Sequence, residues 1–395
     1  MAVTIFFLAV TVRWNLSING AEHFASLARS FAHGELNFRE PPDGTWADTT
    51  PHEGKYYWPL GPLPALVLLP FTFLTEAVGT TFYQGYLQPF LVGALLALVF
   101  VCARRVGYAP DDSGYLAFGF TFATACLGVA LWPWSWYFSQ ILTCVLLFAI
   151  IAEMIGKRRP IVLGVLCALI LATRMTAALV VFWCIGEFLS DEKSRQQKLR
   201  ALGGLIFPCL IALGGLLLYN YARFGNIFEQ GYAEQLVPKH AETARAAGLF
   251  SVHHLAGNIY TFLFSAPNPV MRNDGSVMLA FPFAKANPWG MSVFVTSPCF
   301  LYLLGLKFRD ATARWLLGTA FLIALPIMFY YGVGYRQFGY RYALDFLPLL
   351  YFLLFRNYRL QRGTLTRAFK IVIIASAFWN LYLFSGYFIW GSTSG

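Results

Sequence analysis

A chain of 395 residues with 58% hydrophobic and only 12% charged residues lies far below the roughly 25% charge of a soluble domain. That excludes an ordinary water-soluble globule and predicts a polytopic membrane protein, and the continuous apolar runs exclude a membrane β-barrel. The net charge of +10 does not argue for nucleic acid. It is gathered in five short clusters between apolar runs: Arg104 and Arg105; Lys157, Arg158 and Arg159; Lys193, Arg195, Lys198 and Arg200; Lys307, Arg309 and Arg314; Arg356, Arg359, Arg362, Arg367 and Lys370. This is the positive-inside pattern, and it assigns those five loops to the cytoplasmic face.

In chain order, the first apolar run, Ala2 to Val12, is too short to span and carries neither a basic flank nor a clear cleavage site. Residues 14–58 form a polar first external loop. Within it, "NGAEHFASLARSFAHGEL" sets Ala25, Leu27, Ala28 and Phe31 near helical spacing. This predicts an amphipathic interfacial helix. Residues 59–79 contain Pro62, Pro64 and Pro70. Each proline removes a donor and clashes with the preceding turn. The sidedness count closes if this segment dips in and returns rather than spans, as irregular helices do where protein covers them.

Spans follow at about 84–103, 114–134 and 137–156, a paired run at 160–190 with Arg174 near its turn, then 199–221, 291–306, 313–333, 342–356 and 369–390. The prediction is an all-α polytopic membrane protein of about 11 transmembrane helices, one domain over 1–395. Residues 222–290 make a second large external loop, and 334–341 a small one. The seven cysteines all lie inside apolar runs and read as buried hydrophobes rather than a disulfide framework or zinc site. No internal repeat is visible, which argues against a transporter built from inverted halves.

The polar groups gather on one side. All six histidines lie in the two large loops, and six of the 19 acidic residues lie in the first. Glu22 starts the interfacial helix, where a carboxylate also suits the helix dipole. In "ADTTPHEGKYYWPLGPLP", Asp48, Glu53 and Lys55 precede Tyr56, Tyr57 and Trp58. That is the make-up of a site wall, and equally of an aromatic belt. "YNYARFGNIFEQGY" places Arg223 at the end of a span. "YRQFGYRYALDFLP" places Arg336, Tyr340 and Arg341 where the chain re-enters. Its two guanidiniums suit a phosphate clamp, or snorkelling to headgroups. Asp345 needs a partner inside its apolar run, and Arg341, one turn back, is the nearest candidate. Arg174 interrupts an apolar segment, as a functional or ion-paired arginine would. His253 and His254 face either an acceptor or the headgroups. No Gly-rich phosphate loop, HExxH or GxSxG occurs.

The order of these features is more specific than any one of them. A short first span, an acidic residue with "LARSFAHG", then "GKYYWPLGPLPALVLLPF", "TR" on a hairpin, "YNYARFGNIFEQGY" and "FGYRYALDFLP" together resemble the bacterial membrane glycosyltransferases of the C superfamily. The protein O-mannosyltransferases and lipid A aminoarabinose transferases are its best-known members. The resemblance covers nearly the whole chain. It implies transfer of a sugar, with inversion, from a polyprenyl-phosphate donor to an acceptor hydroxyl on the extracytoplasmic face of the bacterial inner membrane. It also implies a divalent cation, Mg or Mn, with Glu22 and Asp48 as candidate ligands, and a general base just after the first span.

That base position corresponds to Asn19–Glu22. Many relatives carry an acidic residue first, whereas this chain reads Asn-Gly-Ala-Glu, leaving Glu22 as the carboxylate of the motif and Asp48 as the alternative. By the same resemblance Lys55, Tyr56, Tyr57, Arg223, Arg336, Tyr340 and Arg341 would hold donor phosphate and sugar, supported by Arg174, Asp345 and Glu53. The partners implied are the lipid-linked sugar, the bilayer and an unknown acceptor. The rival readings are a lipid-linked-sugar flippase or small-solute transporter, and an O-antigen ligase or polymerase.

Overall fold

The computed structural model describes residues 2–17, 20–275 and 277–388. Asn19, the first residue of the motif expected to carry the base, lies outside the described residues. The chain runs α1 (Ala2–Ser17), α2 (His23–Ala32), a hairpin of β1 (Thr50–His52) and β2 (Lys55–Tyr57), then α3 (Leu63–Glu76), α4 (Gln84–Val106), α5 (Pro110–Phe122), α6 (Cys126–Leu131) and α7 (Ser135–Met154). It continues through α8 (Pro160–Leu171), α9 (Val181–Ser190), α10 (Arg195–Phe224), α11 (Lys239–Arg245), α12 (Leu255–Leu263), a second hairpin of β3 (Asn268–Met271) and β4 (Leu279–Lys285), α13 (Val293–Thr296), α14 (Ala311–Phe329), α15 (Leu347–Arg362) and α16 (Arg367–Phe388). The central helix α7 is buried along most of its length against α4, α8 and α15.

Among the described residues, five helices are long and apolar enough to cross a membrane: α4, α7, α10, α14 and residues Arg367–Gly386 of α16. Shorter apolar helices are Ala2–Ser17, Leu63–Glu76, Pro160–Leu171 and Ala177–Ser190. Local chemistry sets the ends of the long ones. Ser194 and Gln197 form a reciprocal capping box at the start of α10. Asp310 accepts from Ala313 N at 3.0 Å at the start of α14, and Gly107, at φ 100, closes α4 in the left-handed region.

Among the expected spans that are not continuous helices are 114–134 and 291–306. Residues 114–134 divide into α5 and α6. At the break, Ser297 Oγ takes Ala125 N at 3.1 Å and Thr124 Oγ1 takes Cys126 N at 3.1 Å. Residues 291–306 form only α13 and a 3₁₀ stretch, Pro298–Gly305. Ser297 lies outside the helical region (φ −142, ψ 56) ahead of Pro298, where the proline ring disfavours the helical region for its predecessor.

The proline-rich segment behaves as its chemistry requires. Pro62 caps α3 and Pro64 lies in its first turn, where a missing N–H costs nothing. With 14 residues, α3 is about 21 Å long, short of a bilayer core of about 30 Å. Both of its ends lie at one end of the bundle. At its start, Leu63 N donates to Ala172 O at 3.0 Å, beyond the end of α8. At its close, Glu76 lies 3.7 Å from His33 at the end of α2. The chain then enters α4 at Gln84, whose N–H donates to Glu22. So α3 lies beside α2 and returns the chain to the end it left.

The basic clusters sit at the opposite end, partly neutralised. Arg158 pairs with Asp191 at 3.0 Å, Arg356 with Asp310 at 3.1 Å, and Lys370 with Asp111 and Asp112 at 2.6 and 2.7 Å.

Candidate active site

A cavity of about 1230 Å³ opens at the end of the bundle away from the basic clusters. Its floor comes from the start of α7 (Trp134, Trp136, Tyr137) and the turn after α8 (Thr173–Thr176). Its walls come from the first polar loop (His23, Asp43, Asp48), the end of α10, the segment around α11, and residues 326–342. The first polar loop reaches it because long-range backbone bonds pin it. Asp48 N donates to Leu236 O at 2.7 Å and Leu236 N to Thr49 O at 2.8 Å, while Thr50 Oγ1 donates to Gly231 O at 2.8 Å. The two large polar segments are thereby stitched into one structure.

The charges in this cavity divide by whether they are already spent. Arg174 is spent: its Nε and Nη2 donate to the two oxygens of Asp345 at 2.6 and 3.0 Å, and Thr176 adds a hydroxyl to the same carboxylate. The partner of Asp345 is therefore Arg174, 171 residues away, not Arg341 one turn back. Arg341 and Asp345 sit at the two ends of a tight 3₁₀ turn, Arg341–Asp345, whereas the α8 turn aims Arg174 at the carboxylate. Arg223 is spent as well. It donates to Trp58 O and to Asn220 Oδ1, both at 2.7 Å, and stacks over Tyr219 at 3.9 Å, tying the end of α10 to the end of β2.

Arg341 is different. It is 6% exposed, its guanidinium lies over the rings of Tyr342 and Tyr137 at 4.5 and 5.4 Å, and its Nε has no hydrogen-bond partner among the described residues. The one side-chain bond it makes is a long one, 3.4 Å, to the Tyr342 hydroxyl. A buried cation without a carboxylate, facing a cavity, is built to receive an anion. Arg336 also lines the cavity with an exposed side chain.

Among the carboxylates, Asp48 lines the cavity. Burial raises its pKa to about 6, with the charge of Arg341 pulling it down. Asp43 lines the cavity too, and its Oδ2 accepts Glu22 N at 3.0 Å. Nothing in the local sequence singles out Asp43, because "PDG" has the composition of an ordinary turn. Glu22 itself is 5% exposed and is not among the lining residues. Its carboxyl accepts from Gln84 N at 3.2 Å, at the positive end of α4. Burial raises its pKa to about 8. A carboxyl that holds its proton at neutral pH and faces a helix end is poorly suited to be a base.

Several expected contacts do not reach the cavity. Glu53 and Gly54, at φ 48 and 75, form the tight turn between β1 and β2. Glu53 and Lys55 are exposed at that tip. Tyr56 stacks on Trp46 at 4.0 Å, and Tyr57 packs edge-on to Phe224 at 5.2 Å. Tyr340 is buried and donates to Asn258 Oδ1 at 2.8 Å, bracing the segment behind the cavity. His23 was not expected to contribute. It lines the cavity, stacks on Trp58 at 4.2 Å and bonds Ala47 O at 3.1 Å, and burial lowers its pKa.

Among the described residues, no three His, Cys, Asp or Glu side chains converge so as to hold a metal ion.

The structure aligns with the crystal structure of the Archaeoglobus fulgidus oligosaccharyltransferase in its apo form, at a TM-score of 0.52 and 13% sequence identity. The two share one fold. The alignment covers 97% of this chain and 55% of that one, so the chain spans about half the length of the protein it matches. No family model matches the chain, and no curated protein matches it. At this identity the likeness concerns architecture alone: the arrangement of the helices along the chain. It does not single out the O-mannosyltransferase or aminoarabinose branch.

Proposed function

We propose that the protein is a membrane glycosyltransferase that moves a sugar from a polyprenyl-phosphate donor to an acceptor hydroxyl, with inversion, at the extracytoplasmic face of the bacterial inner membrane. The observation that carries this reading is Arg341: a buried, carboxylate-free guanidinium in the same cavity as Asp48. In this reading the Asp48 carboxylate takes the proton of the acceptor hydroxyl. The freed oxygen attacks the anomeric carbon as the bond to the phosphate oxygen breaks. The leaving polyprenyl phosphate keeps that electron pair, and Arg341, with Arg336, stabilises its charge.

Asp48 suits the base role, since a carboxylate poised near pH 6 is ionised at neutral pH yet more basic than an exposed one. The tyrosine faces against Arg341 hold its guanidinium in place before the donor arrives, so little reorganisation is left to the reaction. The apolar part of the lining, Leu216, Leu249, Phe250, Pro326 and Ile327 between the ends of α10 and α14, suits the first isoprene units.

The test is transfer of label from short-chain polyprenyl-phosphate sugars into lipid and glycan fractions by the purified protein. Asp48→Asn should abolish transfer and leave donor binding intact, and Arg341→Gln should weaken donor binding. Label transfer undiminished in both variants would refute the reading.

A further inference from the structure

At the rim of the cavity three rings from three separate segments meet: His240 of α11, Trp289 ahead of α13, and Tyr335 after α14. Their centroids are 5.2 Å (His240–Trp289), 5.1 Å (His240–Tyr335) and 4.8 Å (Trp289–Tyr335) apart. All three line the cavity, yet they remain open to solvent, Trp289 at 43% and Tyr335 at 45% exposure.

Large rings left that exposed are normally either mobile or used. These are held. Gln337, 1% exposed, donates its Nε2 to Trp289 O at 2.7 Å and to Val333 O at 2.8 Å, and its backbone N–H goes to Pro288 O at 3.2 Å. Its Oε1 accepts Arg341 N at 3.4 Å. One buried amide thus fixes both ring-bearing loops and joins them to the anion-binding arginine. Two glycines make room for it. Gly290 and Gly334 have φ of 104 and 99, and a Cβ on either would lie 2.8 or 2.6 Å from the Gln337 side chain.

We infer that His240, Trp289 and Tyr335 form a stacking platform for one pyranose ring of a glycan acceptor. This inference rests on the transferase reading above. A pyranose presents an apolar face of C–H bonds whose hydrogens carry partial positive charge, which complements the negative faces of aromatic rings. Its hydroxyls, at the ring edge, stay in water or meet polar groups. An exposed, rigid aromatic surface continuous with a polar cavity matches that division. The donor's own sugar is attached to the phosphate and must sit at Arg341 and Asp48. The rim therefore meets what arrives from solvent.

The test uses the full chain in a detergent without sugar headgroups and the methyl glycosides of glucose and mannose, in both anomers, observed by saturation-transfer NMR. Signals are expected on the C–H protons of one ring face, with a millimolar Kd for at least one glycoside. The double variant Trp289→Ala, Tyr335→Ala should weaken binding about tenfold or more. Trp289→Phe should retain most of it, with an unchanged melting temperature showing that the fold is intact. Arg341→Gln should leave the glycoside signals in place. Three results would overturn the inference: no signal with any glycoside, signals untouched by the double substitution, or displacement of the glycoside by a short-chain prenyl-phosphate sugar, which would put the donor's own sugar on the platform. Transfer undiminished in both Asp48→Asn and Arg341→Gln would instead strike the transferase reading and leave the glycoside data to be judged alone.

Discussion

Replacing Glu22 by glutamine separates two roles that a carboxylate at this point of the chain could have. In the structure the side chain is buried and accepts the Gln84 N–H. A glutamine keeps the shape and, through its carbonyl oxygen, the hydrogen bond. What it removes is a carboxyl whose pKa rises from 4.5 to about 8. At about 1.4 kcal/mol per tenfold, that is worth on the order of 5 kcal/mol across the titration. The sign follows from proton counting. Between pH 4.5 and 8 the folded state holds a proton that the unfolded state has released, so stability falls as pH rises through that window and levels off above it.

The wild type should therefore lose stability relative to Glu22→Gln from pH 5 to pH 8.5. The measurement is denaturant unfolding of both proteins in micelles at several pH values. Transfer activity in Glu22→Gln should stay within a few-fold of wild type, because the carboxyl faces α4 and not the cavity. Parallel pH profiles, together with transfer reduced by a hundredfold or more, the range typical of a lost general base, would refute this account and return Glu22 to the base position.

With Asp48 as base and its pKa near 6, kcat/KM for transfer should fall on the acid side with a limb near pH 6, and Asp48→Asn should abolish activity rather than move that limb. Arg341→Gln should weaken binding of a short-chain prenyl phosphate by about 10- to 100-fold, the range of a lost charge-assisted hydrogen bond, with little change in melting. Arg223→Gln should do the reverse, lowering the melting temperature, since its donors hold Trp58 O and Asn220. Arg174→Met strands a buried Asp345 and should destabilise by about 3–5 kcal/mol. The double variant Arg174→Met, Asp345→Leu should recover most of that in the same unfolding assay. Gly164→Leu should disrupt the seam of α8 and α10, because even a Cβ at Gly164 would lie 2.4 Å from Leu205 O; unfolding should register a loss of about 1–3 kcal/mol.

The membrane class, the placement of the basic loops at one end, the helix at 23–32 and the failure of 59–79 to form a helix of spanning length were legible in the sequence. Each depends on local chemistry: apolar run length, charge placement, helical spacing and proline geometry act within a few residues. The same reasoning overreached at 291–306, where hydropathy is high but Ser297–Pro298 breaks the helix. It also overreached at Lys55–Tyr57, where a rich local composition turned out to be a hairpin packed on its neighbours.

The candidate site was legible only as a list of polar groups on one side. Which of them are free was decided by partners far away in the chain. Arg174 reaches Asp345 and so leaves Arg341 without a carboxylate. Gln84 takes Glu22, while Leu236 and Gly231 hold the loop that carries Asp48. Charge type is written in each residue, but whether a charge is satisfied depends on which distant groups the fold brings within about 3 Å.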